Sequence, residues 1–103
     1  MIGSKVADIA EETGYQIVKD FVGHGVGRIF HATPFVYHHR NRQPGVMQEN
    51  QTFTIEPILI EGRPNRRQWK DGWTEVAVDG SLSAQCEHTI LITPTGHEIL
   101  TLD

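Results

Sequence analysis

QTFTIEPILI, residues 51–60, is dominated by threonine, isoleucine and phenylalanine and reads as a strand, with GRPN at 62–65 turning the chain after it. One residue does not suit that strand. Glu56 sets a carboxylate inside a run apolar enough to be buried, and a buried carboxylate is costly unless it is paired, hydrogen-bonded or bound to a metal. Moving downstream, RRQWK (66–70), WTEVAV (73–78), SAQCEHTILIT (83–93) and HEILTL (97–102) are further strand candidates, separated by Asp71-Gly72, by Asp79-Gly80 and by PTG at 94–96. Upstream, YQIVKDFV (15–22) reads as a short strand. Residues 34–50, with Pro34, Asn41, Pro44, Gly45 and Asn50, read as a loop. Residues 2–13 put Ile2, Val6, Ile9 and Ala10 on one helical face, with Lys5, Asp8, Glu11 and Glu12 turned away and Gly14 at the C-cap position. The expected fold is α+β: a mostly antiparallel sheet with one N-terminal amphipathic helix, in a single domain over residues 1–103.

Composition narrows the partners. The 103 residues are 38% hydrophobic with a formal charge of −4, which excludes the basic excess of a nucleic-acid binder and the charge density of a disordered tail. No apolar run approaches a membrane span, and the acids of MIGSKVADIAEE do not suit a signal or transit peptide. The one cysteine, Cys86, excludes an internal disulfide, and the expectation is an intracellular protein.

A second acid repeats the anomaly of the first. Glu87 interrupts SAQCEHTILIT, and strand alternation puts Thr54 with Glu56 on one face, and Gln85 and Thr89 with Glu87 on another. A histidine joins them from FVGHGVGRIFH (21–31), where Gly23, Gly25 and Gly27 around His24 imply unusual dihedrals or a close approach to the backbone. An imidazole and two carboxylates from separate rigid elements suit a divalent cation. The intervals 24–56 and 56–87 follow no local ligand spacing, so solvent-facing glutamates on half-exposed strands stay open as the plainer reading. The glycines do not make a dinucleotide fingerprint, since Gly27 comes one residue too early and no helix follows. Cys86 and His88, two apart on a strand, make a poor nucleophile and base, and Cys86 reads as a small buried hydrophobe. His38, His39 and His97 are expected in solvent and His88 in strand packing. His31, behind Phe30, is within reach of the cleft of His24.

Together, GHGVGRIFH, FTIEPILIEG and DGWTEVAVDGSLSAQCEHTILIT resemble the C-terminal half of type I methionine aminopeptidases, over nearly the whole chain. Type II members carry a long helical insertion between the two glutamates, which this sequence does not have. The resemblance implies half of a pita-bread fold and metal-dependent removal of N-terminal methionine from peptides and nascent proteins. It implies His24, Glu56 and Glu87 as metal ligands, Glu87 bridging two divalent ions of cobalt, manganese, iron or zinc. Glu56 would also relay a proton, His31 would bind the scissile amide, Phe30 and Trp73 would line the methionine pocket, and Gln85 would lie beside the site. The family's two ligating aspartates and a further substrate histidine have no counterpart in residues 1–103. The implied site is therefore partial, completed by an N-terminal half or by self-association. The alternative is a non-catalytic half-pita module that binds peptides or another chain. The implied compartment is cytoplasmic, with mitochondrion or plastid as the alternative.

Overall fold

The computed structural model describes residues 1–103 as one helix and ten strands. The helix α1 (Ile2–Thr13) ends at Gly14, whose φ of 78° brings the Gly14 and Tyr15 N–H groups onto the carbonyls of Glu11 and Ala10. Its buried side differs from the expected one. Gly3, Ala7 and Ala10 face inward while Ile9 is 59% exposed, and at Gly3 the helix closes directly on backbone. Any side chain at Gly3 would collide with the carbonyls of Tyr37 and His39, so only a stripe of small residues admits this approach. Arg40 reaches back from the same segment to Asp8 and Glu11, 2.8 Å from each.

In chain order the strands are β1 (Gln16–Ile17), β2 (Gly23–Gly25), β3 (Ala32–Val36), β4 (Thr52–Ile55), β5 (Ile58–Ile60), β6 (Arg66–Gln68), β7 (Glu75–Ala77), β8 (Ser83–Gln85), β9 (His88–Thr93) and β10 (Gly96–Ile99). They form a five-stranded sheet of order β10-β9-β4-β2-β3, a three-stranded sheet of order β1-β5-β8, and the β6–β7 hairpin. Every pairing is antiparallel. The core lies on the larger sheet, where Val36, Phe53 and Ile90 are buried and Ile2, Ile55, Ile92 and Ile99 pack around them.

Three expectations change beyond the trimmed ends of the strands at 66–70, 73–78 and 97–102. The strand over 15–22 shrinks to Gln16–Ile17. The loop over 34–50 loses its first residues to β3, which Pro34 does not disrupt because β3 is an edge strand. The register shifts beside the proline, His24 facing Phe35 while Gly25 faces Ala32, so the residue without an N–H sits in a bulge. The third change decides the site. The runs 51–60 and 83–93 are not single strands; each breaks in two, at Glu56-Pro57 and at Cys86-Glu87.

Candidate metal centre

The two breaks lie opposite one another. Ile55 pairs with His88 on one side and Ile58 with Gln85 on the other, in one continuous register, so Glu56 faces Glu87 and Pro57 faces Cys86 across the gap. On one side the strands belong to the five-stranded sheet and on the other to the three-stranded sheet. Pro57 has no N–H to continue a ladder. The glutamates therefore do not interrupt buried strands; they occupy the seam where two sheets part. Glu56 is half-buried there and Glu87 is exposed, which answers how an acid fits each apolar run.

His24 meets this seam from β2. An added Cβ at Gly23 would overlap the Thr54 carbonyl and one at Gly25 the Thr33 carbonyl, so the flanking glycines serve a close approach between strands, and neither has a positive φ. His24 is 6% exposed. Its Nδ1 stands 3.0 Å from the Gly25 carbonyl oxygen, which can only accept, so Nδ1 carries a proton and in the neutral ring the lone pair is on Nε2. That lone pair points at Glu56 Oε1, 3.3 Å away. A doubly protonated ring would pair with the carboxylate directly; with the ring neutral, two acceptors at this separation suit a cation held between or beside them. Two ligand atoms on a tetrahedral ion with bonds near 2.0 Å stand about 3.3 Å apart. Glu87 completes the group, with one ligand atom from each of the three residues lying within 4.8 Å of the others.

Thr54 ties two of the three residues together. Its buried hydroxyl accepts the His24 backbone N–H at 3.0 Å and donates to Glu56 Oε1 at 2.8 Å, so the expected shared face of Thr54 and Glu56 is present. His38 is the larger correction. Expected in solvent, it is 1% exposed, and its Nε2 accepts the Glu56 N–H at 3.2 Å. Burial pushes its ring below the ordinary imidazole range, His39 adds to the lowering, and the Phe21 carbonyl opposes both without reaching hydrogen-bond geometry at the buried Nδ1. His39 is half-buried as well. The signal for His38 was present in the sequence. Once 32–36 is a strand, its alternation runs on from Val36 to His38, and both point inward.

The remaining candidates divide. The His31 ring stacks edge-on against His24 with centroids 4.4 Å apart, and Phe30 lies 4.5 Å from His31 and 5.9 Å from His24. These three rings and the two glutamates form one cluster beside the seam. Gln85 ends β8 two residues before Glu87 and is exposed. Trp73 makes none of these ring contacts; it is 86% exposed at the tip of the β6–β7 hairpin, where its backbone N–H and that of Thr74 are donated to Asp71 Oδ1. Cys86 is exposed in the seam rather than buried, and His88 Nδ1 lies 2.9 Å from the Thr101 hydroxyl.

Residues 1–94 match metallopeptidase family M24. The chain is similar to "Methionine aminopeptidase 1B, chloroplastic" of Arabidopsis thaliana, 56% identical over 100 residues, covering 97% of this chain and 27% of that protein. It is also similar to "Methionine aminopeptidase 1D, mitochondrial" of Homo sapiens, 46% identical over 101 residues, covering 98% of this chain and 30% of that protein. Among solved structures, the methionine aminopeptidase of Rickettsia prowazekii superposes with a TM-score of 0.89 at 41% identity, covering 97% of this chain and 41% of that one. The chain thus spans 27–30% of the length of these curated relatives. One helix against antiparallel sheets is the α+β half of a pita-bread fold, as expected. No helix is long and apolar enough to cross a membrane.

Proposed function

The chain belongs to metallopeptidase family M24, and from that membership we propose that it contributes to removing N-terminal methionine from peptides and nascent proteins, in an intracellular compartment, cytoplasmic or organellar. The observation that carries the reading is the convergence of three groups able to ligate, His24 Nε2 and Glu56 Oε1 at 3.3 Å with Glu87 beside them. A divalent cation held by these three residues would acidify a water and polarise the scissile carbonyl.

The chain's own groups have separable tasks. His24, with its proton fixed on Nδ1, offers Nε2 as the nitrogen ligand. Glu56 engages Thr54 through Oε1, leaving Oε2 to take a proton from the attacking water and return it to the leaving amine. His31 would donate to the substrate's amide from its edge-on position against His24. Phe30 and Trp73 would wall an apolar pocket for the thioether side chain, in which ring and sulfur contacts replace a polar anchor, and Gln85 would border it. Three ligands suit one cation. The second ion and the remaining ligands of a two-metal site belong, in this reading, to another half of the protein or to a second copy.

Release of methionine from a short Met-Gly peptide by the protein carrying these residues tests the reading. Turnover should require added Mn²⁺ or Co²⁺ and vanish with chelator or in His24→Ala. In Trp73→Ala, turnover should fall while metal affinity holds. The high exposure of Phe30 and Trp73 favours one competitor, a half-pita module that binds peptides without cleaving them. Saturable peptide binding with no release at any metal concentration would select it.

A further inference from the structure

We propose that His38 is a positioning residue for the Glu56 ligand: it accepts the Glu56 backbone N–H and thereby holds open the break from which the carboxylate reaches His24. This rests on the metal reading of His24, Glu56 and Glu87. Strand β4 stops pairing with β9 at Ile55, and Pro57 has no N–H, so the Glu56 amide is the first donor in the gap that needs a partner outside the ladder. The partner comes from 18 residues earlier, the His38 Nε2 at 3.2 Å. An amide N–H can only donate, so Nε2 must hold a lone pair and the ring's proton must be on Nδ1. His38 is as fully enclosed as any large residue of the core; only it and Phe53 have side chains this buried.

The consequence for the ligand is geometric. Thr54 fixes one carboxylate oxygen of Glu56, but a hydroxyl on the preceding strand cannot fix the backbone from which that carboxylate hangs. Without an acceptor at the His38 position, the half-buried amide would turn toward solvent or toward a ladder partner. Either movement carries Oε1 away from His24 Nε2. His38 thus sits one layer behind the ligands and touches no substrate or reacting atom in this scheme.

The side chains that test this differ in where they place an acceptor. Glutamine puts an amide oxygen where Nε2 stands, asparagine reaches only the Nδ1 position, and phenylalanine fills the space with no acceptor. Co²⁺ is titrated into the wild-type protein, His38→Gln, His38→Asn, His38→Phe and His24→Ala, reading affinity by calorimetry and ligand geometry by the visible absorption of bound cobalt, with metal-free melts recorded in parallel. His38→Phe should lose about 10–100-fold in affinity and change the cobalt spectrum, whereas His38→Gln should stay within about threefold of wild type. Should His38→Phe not fold, His38→Asn must bind more weakly than His38→Gln. Wild-type affinity and spectrum in His38→Phe, or equal losses in the glutamine variant and the variants lacking the acceptor, would overturn the assignment. If such outcomes accompany abolished binding in His24→Ala, only the role of His38 falls. If the wild-type protein binds no cobalt, the metal reading falls with it.

Discussion

Two breaks face each other across one pair of strands, and they are built differently. In the break between β4 and β5, Glu56 is held twice, its carboxylate by the Thr54 hydroxyl and its backbone by His38. In the break between β8 and β9, Cys86 and Glu87 are both exposed. In the metal reading proposed above, the first would present a ligand already in place, and the second would bring a charge that no hydrogen bond of the chain holds. Preorganisation and adaptability are thus divided between two carboxylates that the register sets directly opposite, and affinity should respond to each in its own way.

The largest effect should come from the held side. His24→Ala and Glu56→Ala each remove a preplaced ligand, and metal affinity should fall more than about 100-fold, beyond what is lost when a group that only orients a ligand is removed. Calorimetric titration with Mn²⁺ checks it, and near-normal affinity in either variant would dissolve the cluster as a site. Glu87→Ala should cost less, about 10–100-fold, because ordering an exposed segment already offsets part of what its charge contributes. Shortening sharpens the contrast. Glu87→Asp should be tolerated by movement of the exposed chain, whereas Glu56→Asp pulls the carboxylate from Thr54 and from His24 together. Equal losses in the two aspartate variants would show that the breaks do not differ.

Thr54→Val probes the tether itself. The substitution keeps the branched shape at a position 3% exposed but leaves the His24 N–H without its acceptor and Glu56 without its donor. An unpaired buried donor costs about 1–3 kcal/mol, so urea unfolding without metal should show a loss of that order. Metal affinity should drop about tenfold. Thr54→Ser, which retains the hydroxyl, should recover most of both.

How much of this the sequence disclosed depends on whether the signal was local. The helix end at Gly14, the Asp-Gly turns and the strand character of 52–55 and 88–93 are set by residues close in the chain, and they read correctly. The grouping of His24, Glu56 and Glu87 was also legible, because an acid in an apolar run is anomalous wherever it lies. The breaks were not. Nothing within QTFTIEPILI says that its two ends join different sheets; that follows from how the sheets diverge around it. His38 was misjudged for a related reason. Pro34 disguised β3 as a loop, and without the strand the inward alternation from Val36 to His38 was invisible. The glycines beside His24 were ambiguous between torsion and proximity, and only the position of the Thr54 and Thr33 carbonyls decides for proximity.

The smallest expected effect concerns a third carboxylate, which shows what Glu87 would need in order to be held without a cation. Asp79 is exposed, like Glu87, yet it is surrounded by donors of the chain itself: the Ser81 hydroxyl and N–H reach Oδ1 at 2.6 and 3.0 Å, and the Arg63 N–H reaches Oδ2 at 2.8 Å. The Ser81 hydroxyl first, then the Arg63 and Ser81 amides, pull its carboxyl down to about 2. Because the folded value lies below the unfolded one, near 3.9, the ionised form stabilises the fold above about pH 4, and that contribution disappears as the pH falls toward 2. Comparing thermal melts of the wild-type protein and Asp79→Asn from pH 5 to pH 2 should show the variant less stable at the upper end by a small margin that closes toward the lower end. Full exposure to water keeps the margin small. Metal affinity in Asp79→Asn should match wild type, since this turn joins β7 to β8 and offers no ligand to the cluster. A constant difference across that pH range would mean that the amide substitution disturbs packing at Gly62, where the Asp79 and Ser81 side chains already crowd the backbone, rather than removing a charge. A fall in metal affinity would mean that the Glu87 side of the seam is less free than its exposure implies, with its position set from the turn upstream.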